Sequence, residues 1–262
     1  MRATPIPVAL TIAGSDSGGG AGIQADLKTF ASVGVHGTSV ITCVTAQNPM
    51  SVKSVEACSV RIIRQQLEAV FEELRPAAAK TGMLYSGQII REAADFFRDS
   101  KRTPLVVDPV MISTSGTALL KPEATKILLS KLFPLATLVM PNLDEAGAIL
   151  GRPLRSIEDM RWSARALHAR FGCAALVKGG HLRGFREAAD VFYDGSEELL
   201  LSAPFIRGVH THGTGCTYSA AVTGYLAQGS SLVESVKRAK EFVTRAIANS
   251  RMAGKHSVLG NF

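Results

Sequence analysis

Val8-Ala9-Leu10-Thr11-Ile12-Ala13 runs directly into Gly14-Ser15-Asp16-Ser17-Gly18-Gly19-Gly20-Ala21-Gly22, and a segment of helical period follows as far as Ser32. A run of β-formers, a loop with five glycines in nine residues and an amphipathic helix make one strand–loop–helix unit. Further units follow along the chain. Strands are expected at Thr38–Ala46, Ala77–Thr81, Leu105–Asp108, Thr137–Met140 and Ala174–Lys178, with Asp190–Tyr193 and Leu199–Ser202 after them. Helices are expected at Gly22–Ser32, Val60–Leu74, Gly87–Phe97, Pro122–Leu132, Leu143–Leu150, Ile157–Phe171, Cys216–Ala227 and Leu232–Met252, with Ser59 and Ser156 as N-caps. This alternation predicts an α/β fold with a mainly parallel central sheet and helices on both faces, because right-handed crossovers return each strand beside an earlier one. Residues 1–262 read as a single domain, since no repeat, low-complexity tract or long linker divides them.

Composition narrows the class further. With 46% apolar and 19% charged residues in 262, the chain can bury a sizeable core and is not disordered. No apolar run approaches the ~18 residues that a membrane helix needs, so a cytoplasmic protein is expected. Cys43, Cys58, Cys173 and Cys216 form no CxxC pair, which argues against a disulfide scaffold or a structural zinc site. The net charge is +7. Four of those charges lie in residues 231–256, where Lys237, Arg238, Lys240, Arg245, Arg251 and Lys255 outnumber Glu234 and Glu241. They read as the solvated face of an amphipathic helix, and without interleaved aromatics no nucleic-acid partner is expected.

In an open α/β sheet, ligands gather at the carboxyl ends of the strands. Polar or glycine-rich residues do follow each apolar run: Gly14-Ser15-Asp16, Gln47-Asn48, Gly82-Met83, Asp108, Asn142 with Glu145, and Lys178-Gly179-Gly180-His181. The glycine loop is expected to present free N–H groups at a helix start, or else to be a structural turn. It satisfies GxGxxA, but no acidic residue ends the second strand to hold a ribose, and no Gly-Lys-Ser/Thr marks a P-loop. A stronger signal is His210-Thr211-His212-Gly213-Thr214-Gly215-Cys216-Thr217 ahead of an Ala-rich helix. Amides of Gly213, Thr214 and Gly215 at that helix start would form an anion hole, and the same dipole would lower the thiol pKa of Cys216. The alternative is an inert buried cysteine. Asp108, delivered by an apolar strand, suits a hydrated Mg²⁺ together with Glu145, although Glu145 also fits as plain N-terminal helix charge. Lys178 could reach a phosphate or remain a surface lysine. His181, His210 and His212 match no metal motif and are read as loop-orienting.

With these residues assembled, the sequence resembles the hydroxymethylpyrimidine and phosphomethylpyrimidine kinases, within the ribokinase-like family. The likeness rests on Leu10 to Phe30, Thr45-Ala46-Gln47-Asn48, Lys80-Thr81-Gly82-Met83-Leu84, Asp108-Pro109-Val110-Met111, Pro141-Asn142-Leu143, Lys178-Gly179-Gly180-His181 and His212 to Thr217, and so covers nearly the whole chain. It implies that Gln47 hydrogen-bonds an aminopyrimidine, with Gly14, Asp26, Met83 and Val110 lining the substrate pocket. It also implies that Gly213, Thr214 and Gly215 form the anion hole and that Cys216 holds the catalytic position. Asp108, Asn142, Glu145, Lys178 and Thr211 would serve ATP and Mg²⁺. The chain departs from the family pattern in its tail, Lys255 to Phe262, and at Thr117, where an acidic residue is common.

The reaction implied is ATP-dependent phosphorylation of 4-amino-5-hydroxymethyl-2-methylpyrimidine and then of its monophosphate, in thiamine biosynthesis, with small-molecule partners and a homodimer as a possible assembly. A pyridoxal-type kinase of the same fold is the nearest alternative. A cysteine acyl-transfer enzyme using Cys216 with His210 or His212 is a second, but it leaves Asp108, Glu145 and Lys178 without a task. A non-catalytic pyrimidine sensor is a third.

Overall fold

Six parallel strands form the centre of the protein: β1 (Val8–Asp16), β2 (His36–Asn48), β4 (Ala78–Thr81), β5 (Leu105–Val107), β6 (Leu138–Val139) and β7 (Ala174–Gly179). Antiparallel strands flank them, β3 (Ser51–Ala57) at one edge and β8 (Glu187–Tyr193) with β9 (Glu198–Pro204) at the other, giving the order β3-β2-β1-β4-β5-β6-β7-β8-β9. The computed structural model describes residues 5–99, 103–111, 120–180, 182, 187–206 and 212–260. Thr117, His181, His210 and Thr211 lie outside the described residues.

Side chains alternate across each strand, so successive residues enter opposite cores. Leu10, Ile12, Val107 and Val177 pack under α2 (Val60–Glu73), α3 (Gly87–Asp99), α4 (Pro122–Ile127), α5 (Leu143–Leu150) and α6 (Ile157–Phe171). Ala9, Val106, Leu138 and Leu176 pack under α1 (Gly22–Ser32), α7 (Thr214–Ala227) and α8 (Leu232–Ala248). The chain leaves β1 toward β2 on one side and returns to β4 on the other. That reversal is a topological switch point, and it opens a crevice at the carboxyl ends of β1 and β4.

Several boundaries differ from expectation for local reasons. β1 continues through Ser15 and Asp16 past a register shift at Gly14, where β2 carries the extra residue. β3 has no counterpart among the expected strands. Asn48 Oδ1 accepts from the N–H of Met50 at 2.9 Å and of Ser51 at 3.0 Å, closing the tight turn that pairs β3 with β2. α4 loosens into a π-type turn over Leu128–Leu132 ahead of Pro134, which has no N–H to continue the helix. α8 stops at Ala248 instead of running to Met252. Arg251–Ala253 then pairs antiparallel with His256–Val258 around Gly254, so Arg251 and Lys255 belong to a hairpin.

Candidate active site

The crevice is a cleft of about 1550 Å³, larger than the ~300–1,000 Å³ of a typical one-ligand pocket and roomy enough for two substrates. Gly14, Asp26, Gln47, Met83, Val110, Asp108, Asn142, Glu145, Lys178 and the 213–216 turn all line it, so the described candidate residues converge on one place.

At one end, the β2–β3 pairing shifts register between Ala46 and Gln47, with Lys53 of β3 as the extra residue, and Gln47 lines the cleft there. Its backbone is fixed by Ser17, whose Oγ accepts from Gln47 N at 2.8 Å and lies 2.7 Å from Gln47 O. Three amides of the glycine loop are taken by its own carboxylate, which fits the reading of the loop as a structural turn. Asp16 turns back into its own loop and accepts from Gly18 N at 2.8 Å, Gly20 N at 3.1 Å and Ala21 N at 2.8 Å. Burial alone would raise this carboxyl, but His212 and those amides outweigh it and hold Asp16 below the usual carboxylate range. Val110 adopts φ 44°, an outlier for a β-branched residue, where the chain bends after Asp108.

Opposite, Gly213 caps α7 with φ 83°, and a Cβ there would lie 1.8 Å from the carbonyl oxygen of Gly20. The anion-hole turn and the glycine loop are therefore in backbone contact, and His212 Nε2 adds an approach of 3.6 Å to Asp16 Oδ2. Gly215 faces the strand-end charges: a Cβ on it would lie 3.5 Å from Lys178 Nζ and 3.7 Å from Asp108 Oδ2. Those two groups form an ion pair at 2.8 Å. Ser219 Oγ stands 3.1 Å from Asp108 Oδ2 and within 3.0 and 3.2 Å of the carbonyls of Gly215 and Cys216.

Glu145 has a structural task as well as an electrostatic one. Its Oε1 accepts from Met111 N at 2.9 Å and its Oε2 from Asn142 N at 3.0 Å, while Asn142 Oδ1 caps Glu145 N. This capping box ties the Asp108–Met111 bend to α5. Burial pushes the Glu145 carboxyl up against the opposing pull of Lys178. A hydrated Mg²⁺ takes most of its ligands from water and phosphate, and the carboxylates of Asp108 and, behind it, Glu145 would be the groups to hold it; oxygen donors of this kind fit that ion.

Cys216 corrects an expectation. Its thiol is not acidified by the helix start but pushed up to about 11. Burial is the largest cause; Asp26 and Asp108 add to it, while Lys80 and the N–H of Gly22 oppose it. Desolvation in a mostly enclosed position outweighs one helix terminus.

Lys80, Ser219 and Asp16 were not assigned roles from the sequence. Nor were Asp190 and Lys240. Lys240, read as part of a solvated face, is buried and bonded to Asp190 Oδ2 at 2.7 Å and to Ala188 O at 2.8 Å. Its spacing to Val236 and Val243 on the inner face of α8 was the available signal.

Strand order, switch point and the glycine turn opening α7 define a ribokinase-like small-molecule kinase. The chain belongs to the phosphomethylpyrimidine kinase family, whose model matches residues 16–261. A hydroxymethylpyrimidine/phosphomethylpyrimidine kinase of Rhizobium meliloti (strain 1021) is 49% identical over 243 residues, covering 92% of this chain and 90% of the relative. Among solved structures, the ADP complex of a Bacillus subtilis pyridoxal kinase aligns with a TM-score of 0.90 at 38% identity, covering 97% of each chain. A phosphomethylpyrimidine kinase from Clostridium difficile 630 aligns with a TM-score of 0.82 at 44% identity, over 92% of this chain and 99% of that one. No helix among the described residues is long and apolar enough to cross a membrane.

Proposed function

We propose that this chain transfers the γ-phosphoryl group of ATP to the hydroxymethyl group of 4-amino-5-hydroxymethyl-2-methylpyrimidine, and a second to the resulting monophosphate. The observation that carries the reading is one cleft in which the end of β2 brings Gln47 to the lining while the start of α7 faces Lys178 and Asp108. A Gln amide both donates and accepts, matching an aminopyrimidine edge whose ring nitrogen accepts and whose amine donates. The acceptor oxygen bonds to the γ-phosphorus, the bond to the β,γ-bridging oxygen breaks, and ADP leaves. Cys216 is the group assigned to take the acceptor proton, and because burial raises its thiol to about 11 only the minor thiolate fraction can do so near neutral pH.

Lys178 and the amides of residues 213–216 hold the charge that spreads over the transferring oxygens, a task of positioning and electrostatics more than covalent chemistry. Asp108 would hold a hydrated Mg²⁺, which neutralises phosphate charge when bound. Asn142 and Thr211 are assigned to the nucleotide side. The assembly is proposed as a cytoplasmic homodimer without nucleic-acid partners.

A second reading, a pyridoxal-type kinase, is favoured by the higher TM-score to the Bacillus subtilis pyridoxal kinase, whereas identity is higher to the pyrimidine kinases. Coupled ADP release on hydroxymethylpyrimidine, its monophosphate and pyridoxal decides between them. The two pyrimidines should give the higher kcat/KM; a clear preference for pyridoxal would replace the first reading with the second.

A further inference from the structure

A fully buried ion pair lies directly under the reacting turn. Lys80 of β4 and Asp26 of α1 meet at 2.6 Å with both side chains 0% exposed. Thr11, the residue paired with Lys80 across β1 and β4, donates to the other Asp26 oxygen at 2.6 Å. The remaining reach of the ammonium is upward, where Nζ lies 3.5 Å from the carbonyl oxygen of Cys216. Replacing a buried ion pair by apolar residues of similar volume is often neutral or stabilising, so a buried pair is poor evidence for stability. Its position points to the site above it.

We propose that Lys80 is a positioning residue for phosphoryl transfer: its locked ammonium anchors the Cys216 carbonyl, hence the first turn of α7, and sets a permanent positive charge beneath the thiol. The inference rests on the reading of Cys216 as proton acceptor. Charged groups act on the thiol from four elements: Lys80 from β4, Asp26 from α1, Asp108 from the end of β5 and Lys178 from β7. The two carboxylates disfavour a thiolate. Lys178 is already paired with Asp108 and is the cation assigned to phosphate, whereas Lys80 is paired with the fully buried Asp26 of α1. Burial would strip the Lys80 proton, but Asp26 keeps the amine protonated.

The test is the rate of Cys216 alkylation by iodoacetamide in the substrate-free enzyme, followed by peptide mass spectrometry at several pH values, for wild type and Lys80→Met. The half-exposed Cys58 serves as an internal reference. Below the thiol pKa the rate follows the thiolate fraction, so loss of the charge should slow Cys216 about tenfold, equivalent to one unit of pKa, and leave Cys58 unchanged. In turnover, kcat should fall while the KM for ATP stays constant. Lys80→Gln keeps a donor for Asp26 without the charge, and the same slowing is expected if Lys80→Met does not fold. Wild-type alkylation of Cys216 in either folded variant overturns the proposal, as does failure of both to fold, which would make the pair purely structural. Because alkylation needs neither ATP nor pyrimidine, its result is independent of whether the substrate is correctly named.

Discussion

Gly213→Ala tests the contact between the two loops more sharply than any change of a charged group. An L-residue at φ 83° pays about 1–2 kcal/mol for the left-handed backbone. The added Cβ would also stand 1.8 Å from Gly20 O, where ordinary contact begins near 3.4 Å. Neither partner is a flexible side chain, so the start of α7 and the glycine loop must part by roughly 1.5 Å. A misplacement of about 1 Å at a reacting centre costs on the order of 10²-fold in rate. Gly229→Ala is the reference: it has φ 86° and nothing within 4 Å of the added Cβ, so it bears the backbone cost alone. Steady-state kcat and the melting temperature should be measured on both. Gly229→Ala should melt about 2–6 °C lower with kcat unchanged. Gly213→Ala should melt lower still and lose about 10²-fold in kcat. Equal kcat in the two variants would mean that the turn tolerates displacement and that its amides do not hold the transferred group.

Cys216→Ala should lower kcat by roughly 10² to 10⁴ with little change in substrate affinity, the range for loss of a general base, and wild-type Cys216 should alkylate about tenfold faster per pH unit until the rate levels near pH 11. Asp108→Asn should raise the Mg²⁺ concentration for half-maximal rate and leave nucleotide-free pyrimidine binding unchanged; an identical Mg²⁺ titration would remove Asp108 from the metal's neighbourhood. Gln47→Leu should reduce kcat/KM for hydroxymethylpyrimidine by roughly 10- to 100-fold, and for pyridoxal much less, because unpaired buried groups cost about 1–3 kcal/mol each. Burial pushes the Cys173 thiol up to about 12, so the folded state keeps a proton that the unfolded chain loses above pH ~8.5. Stability should therefore fall as pH rises from about 8.5 toward 12, and Cys173→Ala should flatten that decline in melts run across the range.

What could be read from the sequence follows from how local the determinants are. α1, α5 and α6 begin and end where the sequence places them, since their boundaries are set within a few residues. Asn142 and Ser156 cap the starts of α5 and α6, and Gly151 and Gly172 turn left-handed at their ends. The cleft residues were legible for a similar reason: a strand end is a local feature, and the parallel sheet gathers strand ends on one edge. Lys80 was not legible as a site residue because its partner Asp26 is 54 positions away and its target Cys216 is 136 away. The acidity of Cys216 was misjudged because a helix start can be read along the chain, whereas the burial that overrides it comes from α1, β4 and the end of β5. The inward turn of Asp16 was not legible because nothing in the spacing of the glycines shows that a carboxylate folds back on their amides.

Two successive phosphorylations of a hydroxymethylpyrimidine in one cleft are tested most directly by following the products with ³¹P NMR. The enzyme, Mg²⁺ and excess ATP are incubated with hydroxymethylpyrimidine alone, and aliquots are read over time. A monophosphate signal should appear first and decline as a pyrophosphate pair grows, with two ADP formed per pyrimidine at completion, while Cys216→Ala leaves both signals near background. ATP consumption without a phosphorylated pyrimidine, or product formation undiminished in Cys216→Ala, would contradict the assignment of this cleft.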